Sequence, residues 1–293
     1  MNLRGPDWCE ENMDAIICWL RAEAKKRHLP FVDTAGRVIV RRAISNARRK
    51  EKTPNPKAES TRRAIPMKKW AYGVTTVPSR FGHTLDATLQ SLAEAGFDKP
   101  RLFIDGALQQ SQVDALEIPY TIRQPAAKAF QNWFLSLWEL YMRNPEADLY
   151  AIFQDDIEAV VGLREYLESQ PFPSDGYWNL YTNTRNERLN QKKQRGWFHS
   201  NQRGLGALGL VFDHQTVVVL LEDKKLRERV KNKLRGSTAI DGAVITAMKW
   251  VGRKECVHFP SLLQHRETKS VMGHRGARRV SRSFDHNALE VRE

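Results

Sequence analysis

The residues of this chain best suited to chemistry are Asp155 and Asp156, directly after the run Leu149-Tyr-Ala-Ile-Phe-Gln154. An unbroken apolar stretch from Leu149 to Phe153 suits a central strand buried on both faces. Carboxylates at the carboxyl end of such a strand fall in the crevice where open α/β sheets bind ligands. Neighbouring strand residues point to opposite sides, so the two acids have different jobs. One can hold a metal ion while the other faces a ligand hydroxyl. A surface turn after a strand would read the same way, so the assignment depends on what else reaches that edge.

Several other residues could reach it. Trp70-Ala-Tyr-Gly-Val-Thr-Thr76 reads as a strand ending in the hydroxyls of Thr75 and Thr76, and Arg80 lies in the loop that follows. Arg101-Leu-Phe-Ile-Asp-Gly106 is a second short strand ending in Asp105, and Ile118–Arg123 a third. Leu85 to Ala95 is an amphipathic helix stopped by Gly96. Pro125 opens a long helix to Met142 that carries Asn132, and Asn144-Pro145 ends it. After the paired acids come a short helix, Leu163–Ser169, and the strand Tyr177–Tyr181. Residues 183–203 are polar and hold six Lys and Arg, and a loop of that length is functional or disordered. Gly204-Leu-Gly-Ala-Leu-Gly-Leu-Val-Phe212 has dinucleotide-motif spacing but runs into a strand, not the helix that motif requires. Val217–Leu221 start a helix, and another starts around Asp241 after Gly236-Ser-Thr. His265 closes Pro260-Ser-Leu-Leu-Gln-His. This alternation predicts a largely parallel α/β sheet flanked by helices.

The 293 residues carry a net charge of +13, unevenly spread. Residues 1–69 hold 17 Lys+Arg against 8 Asp+Glu, a balance of +9, whereas residues 70–269 hold 25 against 23. The N-terminal segment reads as two helices to about residue 50 and a Pro-containing linker over 51–69. The second helix carries Arg37, Arg41, Arg42, Arg48 and Arg49, with no acid between residues 34 and 50. A solvated face is the ordinary reading of such a run, but this density of arginine points to a polyanionic partner. No apolar run approaches the roughly 20 residues that span a bilayer. The N-terminus has no signal-peptide pattern. Cys9, Cys18 and Cys256 form neither a disulfide framework nor a zinc spacing, which leads to an expectation of a cytoplasmic protein. Residues 273–293 read as a basic, poorly packed tail.

In this order, residues 70–272 resemble a GT-A fold glycosyltransferase, an enzyme that uses a nucleotide-sugar donor. The resemblance implies that Thr75, Thr76, Arg80, Asp105, Asn132 and Asp155 contact the donor. Gln154-Asp155-Asp156 is similar to the family's Asp-x-Asp motif, with Gln154 departing at the first position. Asp156 and His265 would then hold Mn²⁺ or Mg²⁺, and Asp241 would be the catalytic base of an inverting enzyme. A UDP-sugar such as UDP-glucose is the implied donor. The charge distribution makes DNA carrying 5-hydroxymethylcytosine the leading acceptor, gripped by the N-terminal arginines, as in phage-type DNA glycosyltransferases. Two other readings stay open. One is transfer to surface glycan, lipopolysaccharide or protein, and the other is a nucleic-acid-binding protein whose GT-A-like body is catalytically dead.

Overall fold

The computed structural model describes residues 68–114, 116–232, 239–266 and 280–289. The N-terminal arginines Arg37, Arg41, Arg42, Arg48 and Arg49 lie outside the described residues. The described residues hold ten strands: β1 (Trp70–Thr76), β2 (Arg101–Asp105), β3 (Tyr120–Arg123), β4 (Leu149–Gln154), β5 (Ile157–Ala159), β6 (Gly176–Asn179), β7 (Gly196–His199), β8 (Gly209–Asp213), β9 (Lys254–Phe259) and β10 (Leu263–His265). Eight form one sheet in the order β3-β2-β1-β4-β8-β6-β9-β7, and β10 pairs with β5 in a second, two-stranded sheet. The pairs β3-β2, β2-β1, β1-β4 and β6-β9 are parallel, whereas β8 runs antiparallel to both β4 and β6, and β7 runs antiparallel to β9. This is the mostly parallel α/β sheet that the alternation of elements predicted, interrupted by β8 and edged by β7.

Strand β4 is central because its side chains suit burial on both faces. Leu149, Ala151 and Phe153 enter one core, and Tyr150 and Ile152 enter the other. None of the five is more than 2% exposed. Fully burying side chains of this size stabilises by about 1.5–3 kcal/mol each. The first core is covered by α1 (Thr84–Glu94) and, beyond the short α2 (Gln110–Asp114), by α4 (Leu163–Ser169). The second is covered by α3 (Ala129–Arg143) and, past the four-residue α5 (Thr184–Glu187), by α6 (His214–Glu222), α7 (Lys224–Asn232) and α8 (Ile240–Trp250).

Four expectations need correcting. The long helix begins at Ala129, not Pro125, because Lys128 adopts φ +78, outside the helical region. The polar stretch 183–203 is not one loop, since it contains α5 and the edge strand β7. The three-residue β5 directly follows the paired acids, where the sequence placed no strand. The C-terminal tail is not poorly packed over 280–289: Ser281 is 3% exposed, Ala288 is 8% exposed, and Val161 N–H donates to the His286 carbonyl at 3.1 Å.

Candidate active site

The carboxyl ends of β1 and β4 lie side by side, with Thr75 opposite Gln154 in register. The next residues, Thr76 and Asp155, therefore meet. The Thr76 hydroxyl donates to Asp155 Oδ2 at 2.7 Å. Arg80 follows from the short 3-10 turn Pro78–Arg80 and is 8% exposed. Its guanidinium spans both acids, with Nη2 3.3 Å from Asp156 Oδ2 and Nε 4.0 Å from Asp155 Oδ1. His265, carried in on β10, places Nε2 3.3 Å from the same Asp156 oxygen. Two carboxylates, a guanidinium and an imidazole thus converge from three segments of the chain.

Burial makes the two acids a strained pair. Each is 8% exposed. Desolvation pushes the Asp155 carboxyl up to about 6, and the Asp156 charge adds to the rise. The Thr76 hydroxyl, Arg80 and the Val77 N–H oppose it. Asp156 Oδ1 is buried and has no hydrogen-bond partner. A bare, buried carboxylate oxygen costs more than a solvated one, so this atom is suited to a cation that arrives with a ligand.

The turn holding these acids is fixed from behind by a residue that the sequence did not single out. Thr88 on α1 is fully buried, and its hydroxyl lies 3.0 Å from the Asp155 carbonyl and 3.1 Å from the Ile157 carbonyl. Ile157 N–H donates back to that hydroxyl at 3.2 Å. Arg266 adds two more ties: its N–H donates to the Asp156 carbonyl at 2.8 Å, and its Nε donates to the Ile157 carbonyl at 2.9 Å. The only prior sign of Thr88 was a hydroxyl on the inward stripe of an amphipathic helix.

Other predicted site residues have different surroundings. Thr75 is half-buried, and its hydroxyl donates to the Phe153 carbonyl at 3.3 Å. Asp105 ends β2 as expected, but its two oxygens accept the Ala127 and Lys128 N–H groups and so hold the approach to α3. Asn132 is 2% exposed: it donates to the Phe103 carbonyl at 2.9 Å and accepts from Arg123 Nε at 2.8 Å. It joins α3 to β2 and β3, and does not meet the Asp155–Asp156 cluster.

Asp241 stands in the first turn of α8, facing the glycine run. Oδ2 accepts Gly206 N–H at 2.6 Å and Oδ1 accepts Gly242 N–H at 2.8 Å. Gly206 has φ +101, and a Cβ there would stand 2.7 Å from the Tyr181 ring, so glycine is required. The Asn179 amide donates both to the Gly206 carbonyl and to Glu255 Oε1, fixing the loop from below. The same loop reaches β4, because Gln154 N–H donates to the Leu208 carbonyl at 2.9 Å. Asp241 is therefore tied to the crevice edge through the glycine loop. Its four lone-pair sites are half used.

The cluster offers two protein ligands for a divalent ion, Asp156 and His265. Among the described residues no group of three or more His, Cys, Asp or Glu side chains gathers as a ligand set. The Asp156 carboxylate suits Mn²⁺ or Mg²⁺ when phosphate oxygens and water supply most of the other positions, with the bare Oδ1 open to the ion and the His265 imidazole offering one nitrogen beside it.

No protein-family model matches the chain, and no curated protein matches it in sequence. Among solved structures, the CTP:phosphocholine cytidylyltransferase of Streptococcus pneumoniae is similar at 10% identity over 69% of this chain and 95% of that one, with a TM-score of 0.41. A galactosyltransferase, LgtC, solved with donor and acceptor sugar analogues, is similar at 11% identity over 70% of this chain and 90% of its own, also at 0.41. The mannose-1-phosphate geranyltransferase of Thermus thermophilus is similar at 12% identity, covering 64% of this chain and 73% of that one, at 0.37. At these TM-scores the likenesses say nothing of activity. Among the described residues no helix is long and apolar enough to cross a membrane.

Proposed function

We propose that the chain is a glycosyltransferase that moves a sugar from a nucleotide-sugar, UDP-glucose or a similar UDP-sugar, to an acceptor hydroxyl. The observation that carries the reading is the buried cluster of Asp155, Asp156, Arg80 and His265 at the carboxyl end of the central strands, with one Asp156 oxygen left bare. Asp156 and His265 would hold Mn²⁺ or Mg²⁺, which when bound supplies Lewis-acid stabilisation of the leaving diphosphate. Arg80 adds a charge-assisted contact to the same phosphates. Thr76 and Arg80 keep Asp155 oriented, and its carboxyl faces a donor hydroxyl. In the transfer, the acceptor oxygen bonds to the sugar's anomeric carbon as the bond to the diphosphate oxygen breaks. The acceptor proton passes to Asp241, whose orientation is set by Gly206 and Gly242, and inversion follows from attack opposite the leaving group.

The proposed acceptor is DNA carrying 5-hydroxymethylcytosine, and the support for it is the +9 balance of residues 1–69. The test is incubation with a panel of nucleotide-sugars, Mn²⁺ and either hydroxymethylated or plain DNA, followed by mass spectrometry of the digested nucleosides. Sugar on hydroxymethylcytosine is the expected result. Donor hydrolysis without DNA product would move the acceptor to glycan, lipopolysaccharide or protein. No turnover of any donor would leave a binding protein with an inactive body.

A further inference from the structure

The segment 280–289, distant in sequence from most of the candidate catalytic residues, is built into the wall behind His265. Gln264, next to His265 on β10, makes a reciprocal pair with Ser281: Ser281 N–H donates to Gln264 Oε1 and Gln264 Nε2 donates to the Ser281 carbonyl, each at 2.9 Å. The His265 N–H donates to that same Oε1 at 3.1 Å. One amide side chain thus extends β10 sideways and ties the backbone of the imidazole to the C-terminal segment. Val280, at the start of the segment, lines a cleft of about 520 Å³ together with His83, Thr84, Glu158 and His265.

Beside the Gln264 pair, a single carboxylate oxygen supplies three of the bonds that hold the start of the segment. Glu187, the last residue of α5, accepts at Oε1 from the Ser281 hydroxyl at 2.6 Å, the Ser283 N–H at 2.8 Å and the Ser283 hydroxyl at 2.7 Å. Ser283 in turn accepts the Ser261 N–H at 3.0 Å, fixing the approach to β10. Further along, Arg195 donates to the Ala288 carbonyl. Both anchors come from the polar stretch 183–203, so these residues hold the chain's own C-terminal segment. Ser281 is 3% exposed, so without Glu187 its hydroxyl would keep only the Ser283 hydroxyl, at 3.2 Å, as a partner away from bulk water.

We infer that Glu187 is a positioning residue for the ligand-binding cluster, acting through Ser281 and Gln264 to fix His265. The inference rests on the proposed donor site for its functional meaning, but the contact chain stands without it. A partner that orients a metal-ligating side chain typically changes metal affinity by about 10–100-fold when removed. Three bonds converge on one acceptor oxygen, so an amide oxygen can replace it where alanine cannot.

The experiment compares Glu187→Ala and Glu187→Gln with wild type by two measurements. Hydrogen–deuterium exchange over residues 261–266 reads the contact chain directly, in protein without ligand. Calorimetric titration with UDP and Mn²⁺ reads its consequence at the site. The expected result is faster exchange at 261–266 in Glu187→Ala with about tenfold or greater loss of UDP–Mn²⁺ affinity, and both near wild type in Glu187→Gln. Unchanged exchange in Glu187→Ala would overturn the inference, as would faster exchange with unchanged affinity. If Glu187→Ala does not fold, Ser281→Ala, which removes one of the three bonds, is read in the same two ways. Wild-type protein that binds no UDP would count against the donor site and, with it, the functional part of the inference, while the exchange measurement would still decide the contact chain.

Discussion

Asp156 and Asp241 are two acids at the same edge of the sheet, held in opposite ways. Asp241 is gripped by backbone: each oxygen accepts a glycine N–H, and the glycine loop is in turn pinned by Asn179. Asp156 is gripped by side chains, Arg80 and His265, both on Oδ2, while Oδ1 is left bare. A carboxylate satisfied by N–H groups orders the chain around itself. A carboxylate paired on one oxygen only, and buried, keeps its second oxygen for what the chain does not supply. In the proposed transfer this contrast is what suits Asp156 to the ligand and Asp241 to the acceptor side, where its remaining lone pairs would take the proton.

The contrast is broken most completely by Asp156→Ala, which should abolish Mn²⁺-dependent turnover while the protein keeps its cooperative unfolding. Turnover near wild type would remove this residue from the site. Asp241→Asn tests the other half. An amide can accept one glycine N–H but presents its own N–H₂ to the other, costing about 1–3 kcal/mol of stability. Loss of the base should lower turnover by about 10²–10⁴-fold with donor affinity retained. An Asn variant less stable but fully active would make Asp241 a loop anchor alone.

Arg80→Ala sharpens the comparison with effects of opposite sign. In the free protein the guanidinium neutralises the acids that would receive an ion. Its removal should raise the affinity of the nucleotide-free protein for Mn²⁺ and lower the affinity for UDP by about 10–100-fold, the range of a lost hydrogen bond to a charged group. Both are read by titration calorimetry, and a fall in both would show that Arg80 organises the acids instead of standing in for the ion.

Much of this was legible in the sequence because it is local. The run 149–154 announced β4 by its composition, and the helix Leu163–Ser169 matches its expected bounds. The pairing of Asp156 with His265 followed from the resemblance and is a 3.3 Å contact. What stayed hidden depends on the third dimension. Side-chain alternation is the same in either strand direction, so the antiparallel course of β8 could not be read. Three residues are too few to show a period, which concealed β5. Asp105 looked like a ligand-facing acid because its partners, Ala127 and Lys128, are backbone groups that no side-chain pattern reports. Glu187 looked like one acid in a cationic loop, although its three bonds come from residues about a hundred positions away.

The smallest effect expected is in the pH dependence of stability. Asp155 is raised to about 6 in the folded protein from an ordinary value near 3.8, so the folded state binds more protons than the unfolded state between those values. Its contribution to stability is therefore fully present below about 4 and lost as pH rises to about 6. His258, buried and lowered to about 4, works in the opposite direction over an overlapping range, so the wild-type curve alone does not separate them. The difference between wild type and Asp155→Asn does. Unfolding free energy measured from about pH 4 to pH 7 should fall by less, or rise by more, in the variant. Parallel curves would mean that Asp155 titrates normally.

The most direct measurement of the central claim is calorimetric titration of UDP into wild-type protein and Asp156→Ala, each with and without Mn²⁺. The proposed donor site predicts UDP binding that Mn²⁺ strengthens in wild type, a strengthening that Asp156→Ala no longer shows. UDP affinity that is indifferent both to Mn²⁺ and to the loss of the Asp156 carboxylate would contradict it.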